Sequence, residues 1–115
     1  MSVTIYHNPR CSKSRQTLAL LQDRGIEPTV IEYLRTPPTA AEISGLLDKL
    51  GIGARDLVRS KEPEFREAGL ADPSVDDTRL IQAMAEMPKL IERPIVVAGE
   101  RAALGRPPEA VLDIL

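Results

Sequence analysis

The run Val3-Thr4-Ile5-Tyr6-His7-Asn8-Pro9-Arg10-Cys11-Ser12-Lys13-Ser14-Arg15 passes from a strand, through a breaker, into a helix. Val3, Ile5 and Tyr6 supply a short β-rich stretch, and His7-Asn8-Pro9 interrupts it. Over residues 12–24 the apolar spacing turns helical, with Leu18, Leu20 and Leu21 predicted on one face. Gly25 reads as the glycine that ends that helix. Residues 29–34, Thr-Val-Ile-Glu-Tyr-Leu, then read as a second, largely buried strand. Two strands flanking a helix predict a parallel pair with a right-handed crossover.

Beyond this unit the chain changes character. Thr36-Pro37-Pro38-Thr39 breaks the backbone, and Thr39 with Glu42 spells a capping box for a helix reaching about Leu50. Gly51-Ile52-Gly53 ends it. Residues 54–87 hold no strand-like stretch; Leu57, Val58, Phe65, Leu70, Leu80, Ile81 and Met84 recur at helical intervals. Asp72-Pro73-Ser74 punctuates the block, and Asp76-Asp77 supplies the acids that favour a helix start. After Pro88 the β pattern returns in residues 94–97, turns at Gly99-Glu100 and comes back over residues 102–104. Pro107 is predicted to open a final helix running to Leu115. The order is β-α-β, a helical block, then β-β-α. This predicts a single α/β domain over residues 1–115, with a helical insertion at about 39–88.

Composition narrows the partners. A chain of 115 residues, 43% hydrophobic, fits one domain. No stretch approaches the ~20 apolar residues of a membrane span, and Met1-Ser2-Val3-Thr4-Ile5-Tyr6 lacks a basic head and an apolar signal core. A cytoplasmic protein with no membrane partner is expected. Lys and Arg total 15 against 17 acids, a net charge of −2, and Trp is absent. That argues against nucleic acid as a partner.

The single cysteine excludes an internal disulfide and suits a reducing compartment. Cys11 stands where a strand hands over to a helix, where unsatisfied amides and the macrodipole favour a thiolate. His7, four residues earlier, is expected beside the sulfur. Ser14, three residues later, is expected to turn its hydroxyl toward it. Arg10, Lys13 and Arg15 crowd a first turn whose dipole repels bases. Local stability does not explain three bases there, whereas an anion bound at the helix start does. A free Cys is commonly inert core, but these polar, basic surroundings favour a reactive thiol. One Cys and one His fall short of the usual ~3–4 ligands, so no metal is expected.

Three arginines stand apart from the rest. Arg93 precedes Pro94 at the mouth of the third strand, and Arg106 precedes Pro107 before the last helix. Residues before proline are pushed toward extended geometry. Arg59 follows a helical stretch at Ser60-Lys61-Glu62-Pro63. The planar guanidinium fork donates paired hydrogen bonds that suit tetrahedral oxyanions. Arg55, Arg66, Arg79 and Arg101 read instead as surface salt-bridge partners.

The run from Tyr6 to Arg15 resembles the active-site loop of the glutaredoxin-coupled arsenate reductases. Glu92-Arg93-Pro94-Ile95-Val96-Val97 and Gly105-Arg106-Pro107-Pro108-Glu109 look like two further signatures of that family, and Leu57-Val58-Arg59 is similar to its first anion-binding arginine. The resemblance covers essentially the whole chain. It implies a thioredoxin-like fold with a helical insertion. It implies that Cys11 attacks arsenate, that glutathione then displaces the adduct, and that glutaredoxin clears the mixed disulfide as arsenite leaves. By the same resemblance His7 keeps the thiol acidic, and Arg59, Arg93 and Arg106 hold the oxyanion. Pro94 would be the cis proline facing the cysteine. Asn8, Ser14 and Arg15 would support the loop.

On this reading the protein is a monomer with no bound cofactor, glutathione being a co-substrate. Two rivals share the fold. A general glutathione-dependent thiol reductase need not keep an arginine at position 106. A non-enzymatic regulator that binds RNA polymerase often carries a Cys-x-x-Cys pair, and here position 14 is Ser. A low-molecular-weight phosphatase needs a different Cys-to-Arg spacing from that of Cys11 and Arg15.

Overall fold

In the computed structural model, which describes residues 2–115, the sheet is built outward from β1 (Val3–His7). β2 (Thr29–Glu32) runs parallel to it, with Ile5 opposite Val30 and His7 opposite Glu32. β3 (Ile95–Ala98) pairs antiparallel on the other side, Ile5 opposite Val96. β4 (Arg101–Leu104) closes a hairpin with β3, giving the order β2-β1-β3-β4. Gly99, with φ +64°, makes the hairpin turn. Side chains alternate along a strand, so Val3, Ile5 and His7 share the buried face of β1. That period carries an imidazole inside at the strand's last residue.

The chain divides into two compact units, Met1–Thr36 with Arg93–Leu115, and Pro37–Glu92. In the first unit, α1 (Ser12–Asp23) and a C-terminal 3-10 helix (Pro108–Ile114) pack on each other. Val3, Ile5, Leu21, Val96, Ala98, Val111 and Ile114 form its core. Each large aliphatic buried there is worth about 1.5–3 kcal/mol.

Three expectations change here. The second strand stops at Glu32 and runs from exposed at Thr29 and Val30 to half-buried at Ile31 and Glu32, because β2 is a sheet edge with a neighbour on one side only. Tyr33 beyond it is the buried residue, while Val30 and Leu34 face outward. The buried stripe of α1 is Ser14, Thr17 and Leu21, with Leu18 and Leu20 only partly covered. Only the helix's C-terminal half meets the apolar core. The final helix is 3-10 and begins at Pro108, with Pro107 as its cap residue; Ala110 N–H bonds to Pro107 C=O at 3.0 Å.

The second unit is helical, as its sequence periodicity predicts. α2 (Ala40–Leu50) starts with both bonds of the Thr39–Glu42 capping box and ends at Gly51, φ +70°. α3 (Ala54–Leu57), α4 (Pro63–Glu67) and α5 (Asp77–Glu86) follow; α2 and α3 pack on α5. Asp76 caps α5 by accepting from the Arg79 N–H at 2.9 Å. A single antiparallel bridge joins Val58 to Ile91, and flanking bonds join Arg59 N–H to Leu90 C=O and Glu92 N–H to Leu57 C=O. Among the described residues Arg55 enters no ion pair. Its guanidinium donates to the carbonyls of Leu70, Asp72 and Val75, pinning the turn at Asp72-Pro73-Ser74. Arg79 does pair with a carboxylate, that of Glu86. Among the described residues no helix is long and apolar enough to cross a membrane.

Candidate active site

Cys11 is the residue before α1, in extended backbone, and is only 7% exposed. Its N–H donates to Asn8 C=O at 3.0 Å, so the loop from Asn8 closes as a turn just ahead of the helix. No side chain caps α1 and its first turn holds no acid. The sulfur sits where the free amides of the helix start point. Burial pushes the thiol pKa up, but the N–H groups of Ser14 and Lys13 and the charges of Arg93 and Arg106 outweigh it. The net direction is down, toward the thiolate.

Arg106 reaches the sulfur directly. Its Nη2 donates to Cys11 Sγ at 3.7 Å, and its Nε donates to Arg93 C=O at 2.8 Å. The bonds Arg93–Pro94 and Arg106–Pro107 are both cis, the first as expected, the second unforeseen. Gly105 N–H reaches Pro94 C=O at 3.0 Å. A Cβ on Gly105 would fall 2.7 Å from Pro94 Cγ and closer still to Thr17 Oγ1. Only glycine lets the two proline-bearing loops and α1 come together this tightly. That close approach left no mark in the sequence beyond a glycine ahead of an Arg-Pro pair.

The Ser14 hydroxyl is placed differently from expectation. Ser14 Oγ meets His7 Nδ1 at 2.6 Å and accepts from the Asn8 N–H at 3.0 Å. The hydroxyl is therefore committed to the loop, and Ser14 acts on the sulfur through its backbone N–H. Burial lowers the His7 pKa most; Glu32 raises it and Arg15 lowers it, leaving it below the ordinary value. A neutral imidazole follows near pH 7. Asn8 Oδ1 accepts from the Arg10 N–H, and Arg15 donates to Pro9 C=O at 2.9 Å. Arg15 braces the loop, and the cations acting on the sulfur come from the far end of the chain.

Arg59 belongs to the second unit. There Glu62 Oε1 lies 2.8 Å from its Nη1 and Glu92 Oε1 lies 3.8 Å from its Nε. Lys89 in turn lies 3.6 Å from Glu62 and 2.5 Å from Glu64. A guanidinium beside two carboxylates is oriented before any ligand arrives.

Taken together, the first unit offers an acidified thiolate with two guanidinium groups acting on it. A model of the ArsC family matches residues 6–114. The chain belongs to the ArsC family. Its relatives include a Rhizobium meliloti arsenate reductase, 52% identical over all of this chain and 82% of that protein. An uncharacterized Escherichia coli protein, YfgD, is 57% identical over 98% of this chain and 96% of its own length. The solved structure of an arsenate reductase from Vibrio cholerae superposes with a TM-score of 0.98 at 55% identity, covering all of this chain and 98% of that one. The ArsC fold of this chain is thus the thioredoxin-like one, a four-stranded mixed sheet with helices.

Proposed function

We propose that this ArsC-family chain reduces arsenate to arsenite, with Cys11 as nucleophile and glutathione and glutaredoxin as reductants. The observation that carries the reading is the Arg106 guanidinium 3.7 Å from Cys11 Sγ, with the Arg93 charge acting on the same atom. A planar guanidinium fork donates the paired hydrogen bonds that a tetrahedral oxyanion accepts, and two such groups act on this one sulfur. The names of the Rhizobium and Vibrio relatives point to the same substrate.

In the first step the Cys11 thiolate attacks As(V). An S–As bond forms, an As–O bond breaks, and the oxygen leaves as water after taking up protons. Arg93 and Arg106 offset the charge of the bound oxyanion. The Leu57-Val58-Arg59 motif assigns Arg59 the same task. His7 and Ser14 hold the Asn8 end of the loop, and so keep the amides of the helix start aimed at the sulfur. The chain has one cysteine, so the second thiol comes from outside. The glutathione thiolate attacks Cys11 Sγ. An S–S bond forms, the S–As bond breaks, and its electron pair stays on arsenic, which leaves as arsenite. A glutaredoxin thiol then attacks the glutathione sulfur and releases the Cys11 thiolate.

The test is a coupled assay with arsenate, glutathione, glutaredoxin, glutathione reductase and NADPH. NADPH oxidation should need every component and vanish in Cys11→Ser, since an alcohol is a far weaker nucleophile at neutral pH. No arsenate-dependent oxidation, from a protein whose Cys11 still exchanges with disulfides, would leave the general thiol reductase as the correct reading.

A further inference from the structure

A cavity of about 490 Å³ opens beside the Cys11 loop, lined by His7, Asn8, Pro9, Arg10, Glu32 and Arg35, with Leu34 at its edge. It lies wholly within the first unit, between the end of β1 and the turn that follows β2. Its volume is within the range of roughly 300–1,000 Å³ usual for small-molecule sites. A second cavity of about 440 Å³ lies at the other end of β1, around Val3, Ile26, Thr29 and Leu115, and has Glu27 as its one charged side chain.

The charges lining the first cavity are specific. Arg10 and Arg35 are exposed cations, and among the described residues neither enters an ion pair. Glu32 is half-buried and likewise outside every ion pair among those residues. Two cations and one anion lining one cavity, whose lining residue Arg10 is followed by Cys11, complement a ligand with two carboxylates and one ammonium group. Glutathione has that charge pattern, with its thiol between the charged ends. Its extended length is roughly 10 Å at about 3.3–3.6 Å per residue, and Cys11 directly follows Arg10 of the cavity lining.

We propose that this cavity binds the external thiol, a glutathione-type tripeptide, with Arg10 and Arg35 taking its carboxylates and Glu32 its ammonium group. The assignment rests on the proposed need for an outside thiol and deepens it by giving that thiol a site. The oxyanion arginines, Arg93 and Arg106, act on the sulfur from the segment that enters β3 and the segment that leaves β4. The two substrates therefore have separate sets of charges, and glutathione can enter while the arsenic adduct occupies the sulfur.

The test avoids arsenate, so that its failure and a failure of the arsenate reading are told apart. Reduced protein is mixed with glutathione disulfide, and the Cys11–glutathione adduct is followed by intact mass. In that step the Cys11 thiolate attacks one sulfur, a mixed disulfide forms, and glutathione thiolate leaves. A parallel reaction uses hydroxyethyl disulfide, a neutral reagent of the same chemistry. Arg35→Glu should slow the glutathione reaction roughly tenfold, as expected for loss of a charge-assisted contact, and leave the neutral reaction unchanged. Arg35→Lys should recover part of the loss. Higher salt should narrow the gap between the two reagents in the native protein. Equal rates of wild type and Arg35→Glu with glutathione disulfide, or equal slowing with both reagents, overturn the assignment.

Discussion

Arg106 and Cys11 stand 95 residues apart in the chain and 3.7 Å apart at Nη2 and Sγ. Arg106 is fixed by the carbonyl of Arg93, a second arginine that acts on the same sulfur. Part of the thiol's acidity is thus tied to one pair of side chains. The Cys11 pKa is depressed, so the thiolate fraction at a given pH exceeds that of a free cysteine. The rate of alkylation by iodoacetamide should therefore rise with pH to a midpoint below the ordinary thiol value of ~8.5. Arg106→Ala removes one of the influences that lower it, and the midpoint should move up. A midpoint that stays put would mean that the amides of Lys13 and Ser14 and the Arg93 charge suffice.

Ser14→Ala separates the two ways Ser14 serves the site. The variant keeps the backbone N–H that faces the sulfur, so the alkylation midpoint should hardly move. It removes the oxygen that meets His7 Nδ1 and the Asn8 N–H. A buried imidazole and a part-buried amide then lose a partner, at about 1–3 kcal/mol each. Denaturant unfolding should show the loss. A raised midpoint with unchanged stability would assign the hydroxyl to the sulfur after all.

How much of this was legible in the sequence depends on the range of the interaction. The β1–loop–α1 unit was readable because strand period, breaker and helix start are local signals within residues 3–24. The share of the thiol's acidity that comes from the Lys13 and Ser14 amides was readable for the same reason, whereas the share from Arg93 and Arg106 depends on tertiary packing. The partners of Ser14 were not, because one serine at a helix start has a hydroxyl and an amide to offer, and the fold decides which goes where. The exposure of β2 depends on its place at the sheet edge, which its own apolar residues cannot report. Arg55 looked like any surface arginine, since the carbonyls it serves lie 15 to 20 residues downstream. Arg93 and Arg106 were picked out by their Arg-Pro context, yet the hydrogen bond between them depends on tertiary packing.

His7 gives a pH dependence of stability. Its pKa is lowered in the folded protein, chiefly by burial, so protonation favours the unfolded chain. The stabilisation is present in full above the ordinary imidazole value of ~6.5 and is lost as pH falls through the folded value. Thermal melts between pH 7.5 and about 5 should fall in native protein and fall less in His7→Asn, before carboxylates titrate. Parallel curves for the two would show that burial of His7 carries no proton linkage.

Gly105→Ala tests the packing that sets Arg106. The added methyl meets Pro94 and Thr17 at distances no real Cβ keeps. Overpacking of this kind costs about 1–3 kcal/mol, and the loop that carries Arg106 must shift. Stability and arsenate turnover should both drop. Thr17→Ala in the same chain removes two of the three clashing atoms and should restore part of both. No recovery would place the defect in the Pro94 contact alone.

The three arginines decide between an oxyanion enzyme and a general thiol reductase. If Arg59, Arg93 and Arg106 hold arsenate, each change to Ala removes charge-assisted bonds worth ~1.5–3 kcal/mol. At ~1.4 kcal/mol per tenfold, arsenate kcat/KM should fall roughly ten- to a hundredfold for each. Arg59→Ala is the sharpest of the three. Its known contacts are to Glu62, Glu92 and the Lys89 and Leu90 carbonyls, so its loss should leave the Cys11 midpoint where it is. Arg106→Ala should instead lower arsenate turnover and raise the midpoint together. Arg→Lys at 93 or 106 should remain impaired, because a point charge cannot reproduce the planar fork. Reaction of Cys11 with hydroxyethyl disulfide, measured beside arsenate turnover at a pH above each variant's midpoint, supplies the control. There the thiolate fraction is full and no oxyanion is bound, so the neutral reaction should be nearly unchanged in all three. Equal losses in the two reactions would mean that these arginines position the thiol or the loops, and the oxyanion role would pass to other residues.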